Sequence, residues 1–212
     1  MINLKELNQL KKLGNVPFET SVLMNMLDNK SPEKKIQKLV RDGYIIRIKQ
    51  GLFVVSPGIS GKLLSPELIA NHIYGPSYVT AHYALSHYGL IPERVTVITS
   101  FTTRHTRKFE TPEGYYTYRQ VNDEYFPIGI NMAHDEDITY LIATPEKALC
   151  DMMMVEHHIP SQSLAALEVF FEEDMRIETD DLKEMNPDII RKCMETGNKK
   201  QILANVLKLI ER

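Results

Sequence analysis

The stretch 31–55, SPEKKIQKLVRDGYIIRIKQGLFVV, constrains the fold more than any other part of the chain. Ser31 can cap a helix that has Pro32 in its first turn, and Gly43 stands where a helix stops. Between them Ile36, Leu39 and Val40 recur at i, i+3 and i+4 and make one apolar stripe. Lys34, Lys38 and Arg41 gather on the opposite face, with Lys35 and Gln37 at its flanks. A helix of this kind buries one side and can lay a basic row along a phosphate backbone. After Gly43, two β-rich runs at 44–48 and 52–55 surround Lys49-Gln50-Gly51. This predicts a hairpin tipped by Lys49 and flanked by Arg47. A basic helix face alone is most often a solvated surface. The order of helix then hairpin, after two shorter helices, is what points to a recognition helix and its wing.

The two earlier helices are read from Leu4, Leu7 and Leu10, ending at Gly14, and from Val22, Leu23, Met26 and Leu27 within 18–27. Asp28-Asn29-Lys30 reads as a tight turn before the third helix. The fold class expected is α+β: a winged helix-turn-helix over 1–58, then a mixed α/β body over 62–212 with a helical C-terminal tail. Ser56-Pro57-Gly58 and Gly61 place the boundary near 56–64. In the body, Ser65-Pro66-Glu67 starts one helix, and a second is read from Ser77 through Tyr78, Val79, His82 and Leu85 to Gly89. Residues 94–100 read as a strand, and 115–121 as its hairpin partner across a turn at 111–114. Segments 126–132 and 138–143 are further strand candidates around the acidic loop 134–137. Thr144-Pro145-Glu146 starts another helix. Beyond Pro160 the pattern is helical near 161–173, 179–184, 187–196 and 198–211.

The net charge of −3 hides an asymmetry. Residues 1–55 hold ten Lys/Arg against five Asp/Glu and carry +5, which leaves −8 on the remainder. A polyanion-binding head on an acidic body fits that split. Cys150 and Cys193 both sit in helical patterns, so no disulfide framework is expected. No apolar run approaches the ~20 residues a bilayer crossing needs. The first residues lack an apolar core and cleavage site of a signal peptide, so a soluble, cytoplasmic protein is expected.

Catalytic chemistry finds little footing. His82 and His87 are five apart and His157 and His158 adjacent, so neither pair has the i, i+4 spacing of helix-borne zinc ligands. No metal or cofactor is expected. His82 and His87 read as helix-packing residues. Asp135, Asp137, Glu146 and Lys147 resemble the carboxylates and lysine of a metal-dependent nuclease, yet Thr144-Pro145-Glu146 is also explained by a side-chain cap and an acid at the positive helix end. No phosphate-binding glycine loop or nucleophile elbow is present. Arg104-His105-Thr106-Arg107-Lys108 is a dense basic run, read as a loop in which Arg104, Arg107 and Lys108 offer secondary phosphate contacts. In the Tyr-rich stretch, Tyr115 and Tyr116 face opposite ways, and one must point outward.

The segments YIIRIKQGLFVV (44–55), TAHYALSHYGLIP (80–92), RVTVIT (94–99) and ATPEKALCDMM (143–153) resemble the AbiEi-type antitoxins of bacterial abortive-infection toxin–antitoxin pairs, also described as type IV transcriptional regulators. The resemblance runs to about residue 155. It implies a winged-helix domain that binds inverted repeats in its own promoter; a repressor of this size would engage two half-sites as a dimer or as paired monomers. It also implies a C-terminal domain needed for antitoxicity against a nucleotidyltransferase-like toxin, with no catalysis of its own. On this sequence the DNA-facing positions would be Lys34, Lys35, Gln37, Lys38 and Arg41 on the helix, with Arg47 and Lys49 on the wing. Two other readings stand beside it: a nuclease targeted by the same head, and a protein-interaction module whose basic face is incidental.

Overall fold

A computed structural model describes residues 2–26, 32–160 and 163–212. Leu27, the Asp28-Asn29-Lys30 turn, the Ser31 cap and the first two positions of the helix read from 161 lie outside the described residues. The described chain is mixed α+β, with eleven α-helices and two sheets.

The N-terminal unit runs α1 (Leu4–Leu13), β1 (Phe18–Glu19), α2 (Thr20–Met26), α3 (Pro32–Arg41), β2 (Ile45–Lys49) and β3 (Leu52–Val55). An Asn3-x-x-Glu6 capping box opens α1: the Asn3 side chain accepts from the Glu6 amide at 2.8 Å, and Glu6 accepts from the Asn3 amide at 3.1 Å. The second helix starts at Thr20 rather than 18, because Phe18 and Glu19 pair with Phe53 and Leu52 as a third strand. The resulting antiparallel sheet has the order β1-β3-β2.

Glu6 also ties α1 to α3. Lys35 Nζ donates to its two carboxylate oxygens at 2.7 and 2.8 Å, and only 7% of the Glu6 side chain is exposed. Burial alone would push this carboxyl up; Lys35 and the Asn3 cap outweigh it and hold the group below its ordinary 4.5. A depressed carboxyl contributes stability that is present above pH 4.5 and lost as the pH falls through the folded-state value. Glu6→Gln should therefore cost about 1–2 kcal/mol near neutrality, through the weakened cap and ion pair. Thermal unfolding of both proteins across acidic pH tests this: the gap between them should close below pH 4.5. A gap independent of pH would refute the assignment.

The hairpin β2–β3 is buried on both faces. Ile45, Phe53 and Val55 enter a core with Leu10, Phe18, Leu23, Ile36 and Leu39. Ile48, Leu52 and Val54 belong instead to the large core of the body. Alternation along a strand sends successive side chains to opposite faces, so one pair of strands floors two cores. Ser56 holds the exit, donating to the Tyr44 carbonyl at 2.9 Å, and the boundary segment carries a helical turn, α4 (Pro57–Ser60).

The body sheet has the order β6-β7-β5-β4-β9-β8, formed by β4 (Ser77–Val79), β5 (Val97–Thr102), β6 (Arg107–Thr111), β7 (Gly114–Gln120), β8 (Ile130–Asp135) and β9 (Ile138–Ala143). Four expectations are corrected here. Ser77, Tyr78 and Val79 form a fully buried central strand, and the helix α6 begins only at Ala81 (Ala81–His87). β7 does not form a hairpin with β5 but lies parallel to it; the 111–114 turn joins β7 to β6. The basic run 104–108 is consequently half strand, with Arg107 and Lys108 on the edge strand β6. The strand expected at 126–132 is displaced to 130–135, where it pairs with β9.

Helix α5 (Pro66–Ile73) lies over the side of the sheet bearing Tyr118, whose hydroxyl donates to the Ala70 carbonyl at 2.6 Å. Helix α7 (Pro145–Val155) contacts the other face, where Lys147 Nζ lies 5.6 Å from the Tyr78 ring centroid. The tail adds α8 (Leu164–Val169), a π-helical turn (Phe170–Asp174), α9 (Thr179–Lys183), α10 (Pro187–Thr196) and α11 (Lys200–Ile210). Cys150 and Cys193 are free, buried thiols in this core. No helix among the described residues is long and apolar enough to cross a membrane.

Candidate nucleic-acid interface

Helix α3 is built as its periodicity dictates. Ile36 and Leu39 are buried against α1, α2 and the hairpin, while Lys34, Gln37, Lys38 and Arg41 are exposed on the far side. Lys34, Gln37 and Lys38 make no hydrogen bond or ion pair with any described residue. Among the described residues Arg41 pairs with its neighbour, Asp42, at 3.2 Å on the surface. An exposed pair of this kind has little net worth and exchanges readily for a phosphate. Lys35 departs from the sequence reading: its ammonium is committed to Glu6, on the flank that faces α1. It orients α3 rather than extending the basic row.

On the hairpin, Arg47 is exposed, its guanidinium 5.6 Å from the Phe53 ring centroid. Lys49 does not project from the tip as expected. Arg47 pairs with Phe53 but Lys49 pairs with Leu52, so Ile48 is an extra residue and the strand bulges. A bulge puts two consecutive side chains on one face. Lys49 therefore turns with Ile48 toward the body, where Nζ donates to the Ile73 carbonyl at 2.5 Å and lies 5.6 Å from the Phe109 ring centroid.

There it joins the second basic element. The Arg104 guanidinium lies 4.8 Å from the Tyr74 ring centroid and donates to the Gly75 carbonyl at 3.1 Å; Arg107 lies 5.5 Å from the same ring. Burial and these two guanidiniums hold the Lys49 ammonium below its usual range, with Glu19 acting weakly the other way. Three cations thus crowd one aromatic platform of Tyr74, Phe109 and Tyr118, whose rings meet at 5.4–5.8 Å. Mutual repulsion among them is relieved by an anion. Lys108 is exposed beside them on β6. The platform was invisible in sequence because Lys49, Tyr74 and Arg104 come from three separate segments. The bulge has no local signature beyond Gly51, whose φ of 82° the tight turn requires.

The residues considered for a nuclease are not brought together. Asp137 is exposed and ion-paired with Lys62 at the β8–β9 turn, while Glu146 lies past the far end of β9 and accepts from the Asn186 amide at 3.0 Å. Six strand residues separate them, roughly 20 Å of chain. Lys147 is wholly buried. Its Nζ is 3.4 Å from Asp151 and donates to the Tyr125 carbonyl at 3.1 Å. Asp151, also wholly buried, accepts from Thr80 at 2.7 Å and from Tyr125 at 2.6 Å. Burial pushes its carboxyl up, against the pull of Lys147 and both hydroxyls. No group of three or more His, Cys, Asp or Glu residues converges into a metal-binding arrangement among the described residues. His87 packs edge-on against Tyr88 and Tyr140.

Comparison with protein-family models finds no match to this chain, and comparison with curated proteins finds none either.

Proposed function

We propose that this protein is a non-catalytic, sequence-specific DNA-binding transcriptional regulator of the bacterial cytoplasm. Its N-terminal unit is read as a winged helix-turn-helix: helix, short strand, two helices and a hairpin, with the three strands ordered β1-β3-β2. The observation that carries the reading is the exposed outer face of α3, where Lys34, Gln37, Lys38 and Arg41 stand together while the opposite face is buried. In this reading Lys34, Lys38 and Arg41 hold phosphates or base edges, Gln37 reads a base, and Arg47 reaches the backbone from the hairpin. Lys49, Arg104, Arg107 and Lys108 form a second phosphate contact on the body. The resemblance to AbiEi-type antitoxins extends the proposal to repression of its own promoter at inverted repeats, with two copies on the DNA, opposite a nucleotidyltransferase-like toxin.

The test is binding to the gene's own upstream DNA across a salt series. Affinity should fall with a log–log slope of about −0.9 per phosphate contacted, and Lys34→Ala/Lys38→Ala should flatten that slope by about two units. Lys35→Ala should leave the slope alone and lower thermal stability instead, because its partner is Glu6. Weak binding with no preference over random DNA, unchanged by the double substitution, would overturn the proposal in favour of a protein-interaction module.

A further inference from the structure

The body sheet ends on each side in a strand with one neighbour, β6 at one end of the order and β8 at the other. An unpaired edge is a template for a further strand, and proteins guard it with charge, proline or a bulge. β6 is guarded: Arg107, Lys108 and Glu110 fall among its five residues. β8 is not. It contains no lysine, arginine or proline, its one carboxylate is Asp135 at the end, and it pairs with β9 through six successive residues without a bulge. Asn131, Met132, His134 and Asp135 are exposed, Met132 to 59%.

The ladder fixes which backbone groups of β8 face outward. On β9, the Leu141 amide donates to the Asn71 side chain at 2.6 Å and the Leu141 carbonyl accepts from it at 3.2 Å, so both point away from β8. The Thr144 amide, an odd number of residues further on, faces the other way and donates to the Gly129 carbonyl at 2.8 Å. Met132 stands opposite Leu141, so the two exchange no ladder bonds, and the Met132 N–H and C=O point to the free edge. Alternation gives Ile130 and His134 the same orientation. No turn or loop among the described residues takes up these groups.

Three outward positions centred on Met132 make the edge its own complement. We propose that β8 is the interface with a second copy of this chain, joining the two body sheets edge to edge. About a two-fold axis at Met132, the Met132 residues of the two copies exchange N–H···O bonds with each other, and Ile130 of each copy exchanges them with His134 of the other. No neighbouring antiparallel register engages all three positions. The exposed Met132 side chains leave water together, and Asp135 falls opposite Gly129, so no like charges are set face to face. This interface goes beyond the DNA-binding reading and supplies the two linked heads that reading calls for.

Sedimentation equilibrium of the full chain without DNA, over a concentration series, tests the proposal. The mass should rise to twice the monomer value. Met132→Pro should hold it at the monomer: proline removes an N–H that β9 does not use, so β8 keeps its own ladder while the edge is closed. Met132→Lys should do the same by setting two like charges across the two-fold axis. Far-UV circular dichroism should match the parent for both variants. A parent that stays monomeric up to about 100 μM, far above a micromolar Kd, would overturn the assignment. So would a dimer that survives Met132→Lys, or Met132→Pro in its folded form. No DNA enters the measurement, so either failure leaves the DNA-binding reading standing.

Discussion

Asp151→Ala should destabilise the protein by about 3–5 kcal/mol, the cost of leaving one member of a buried ion pair without its partner. The substitution strands the Lys147 ammonium in an interior where neither residue has measurable exposure. It also removes the acceptor for the Thr80 and Tyr125 hydroxyls. For a chain of this size the unfolding midpoint should drop by roughly 10 °C or more. Lys147 would retain the Tyr125 carbonyl, the face of that ring 3.0 Å from its centroid and the Tyr78 ring at 5.6 Å, none of which carries a charge. Replacing both charges with apolar residues, Lys147→Met/Asp151→Leu, should recover much of the loss, because each single substitution leaves a buried charge that the double one does not. Denaturant unfolding of the four proteins measures the coupling directly. A single substitution costing under about 1 kcal/mol would show that water reaches the pair.

Gly129→Ala should be nearly as damaging, by about 2–4 kcal/mol, for reasons of shape rather than charge. Gly129 has φ of 59°, where a Cβ is strained. A methyl there would stand 2.8 Å from Lys147 Cβ and 3.1 Å from both Ile189 Cγ2 and Thr144 Oγ1. Lys147 Cβ is next to the α7 backbone and cannot swing away, so the helix start must shift. The Gly129 carbonyl meanwhile accepts from the Thr144 amide at 2.8 Å, which fixes the chain at this distance. A circular-dichroism melt of Gly129→Ala within 2 °C of the parent, about what 0.5–1 kcal/mol produces, would show that α7 has slack there.

What the sequence made legible follows from which forces are local. The stripe of Ile36, Leu39 and Val40 and the opposing basic row depend only on helical period, and α3 bears both out. Helices starting at Pro66, Pro145 and Pro187 announce themselves by a capping residue followed by proline, and the structure begins them there. The failures are tertiary. Ser77, Tyr78 and Val79 read as a helix start because a helix does follow, but sheet pairing on both sides claims them first. Arg107 and Lys108 look like a loop until β7 is seen to need a partner for its outer edge. Lys49 was misplaced by a one-residue bulge, and Lys35 by a carboxylate 29 residues away. Two signals were present and unread. Asn3-x-x-Glu6 spells a capping box. Lys147 and Asp151 stand at i, i+4, with Ala148, Leu149 and Cys150 between them and three Met after, a spacing that suits an internal ion pair.

The doubly covered hairpin decides how this protein can be altered by recombination. If the chain were severed after Val55, Ile48, Leu52 and Val54 would present a greasy underside to water, and the body would lose the same three side chains from its interior. Grafting a foreign head onto this body would succeed only if the donor hairpin carried matching apolar side chains on its hidden face, an obligation that binding alone would never reveal. Specificity can drift freely along the outside of α3, whereas the strands beneath it are held to a bargain with the other half of the chain.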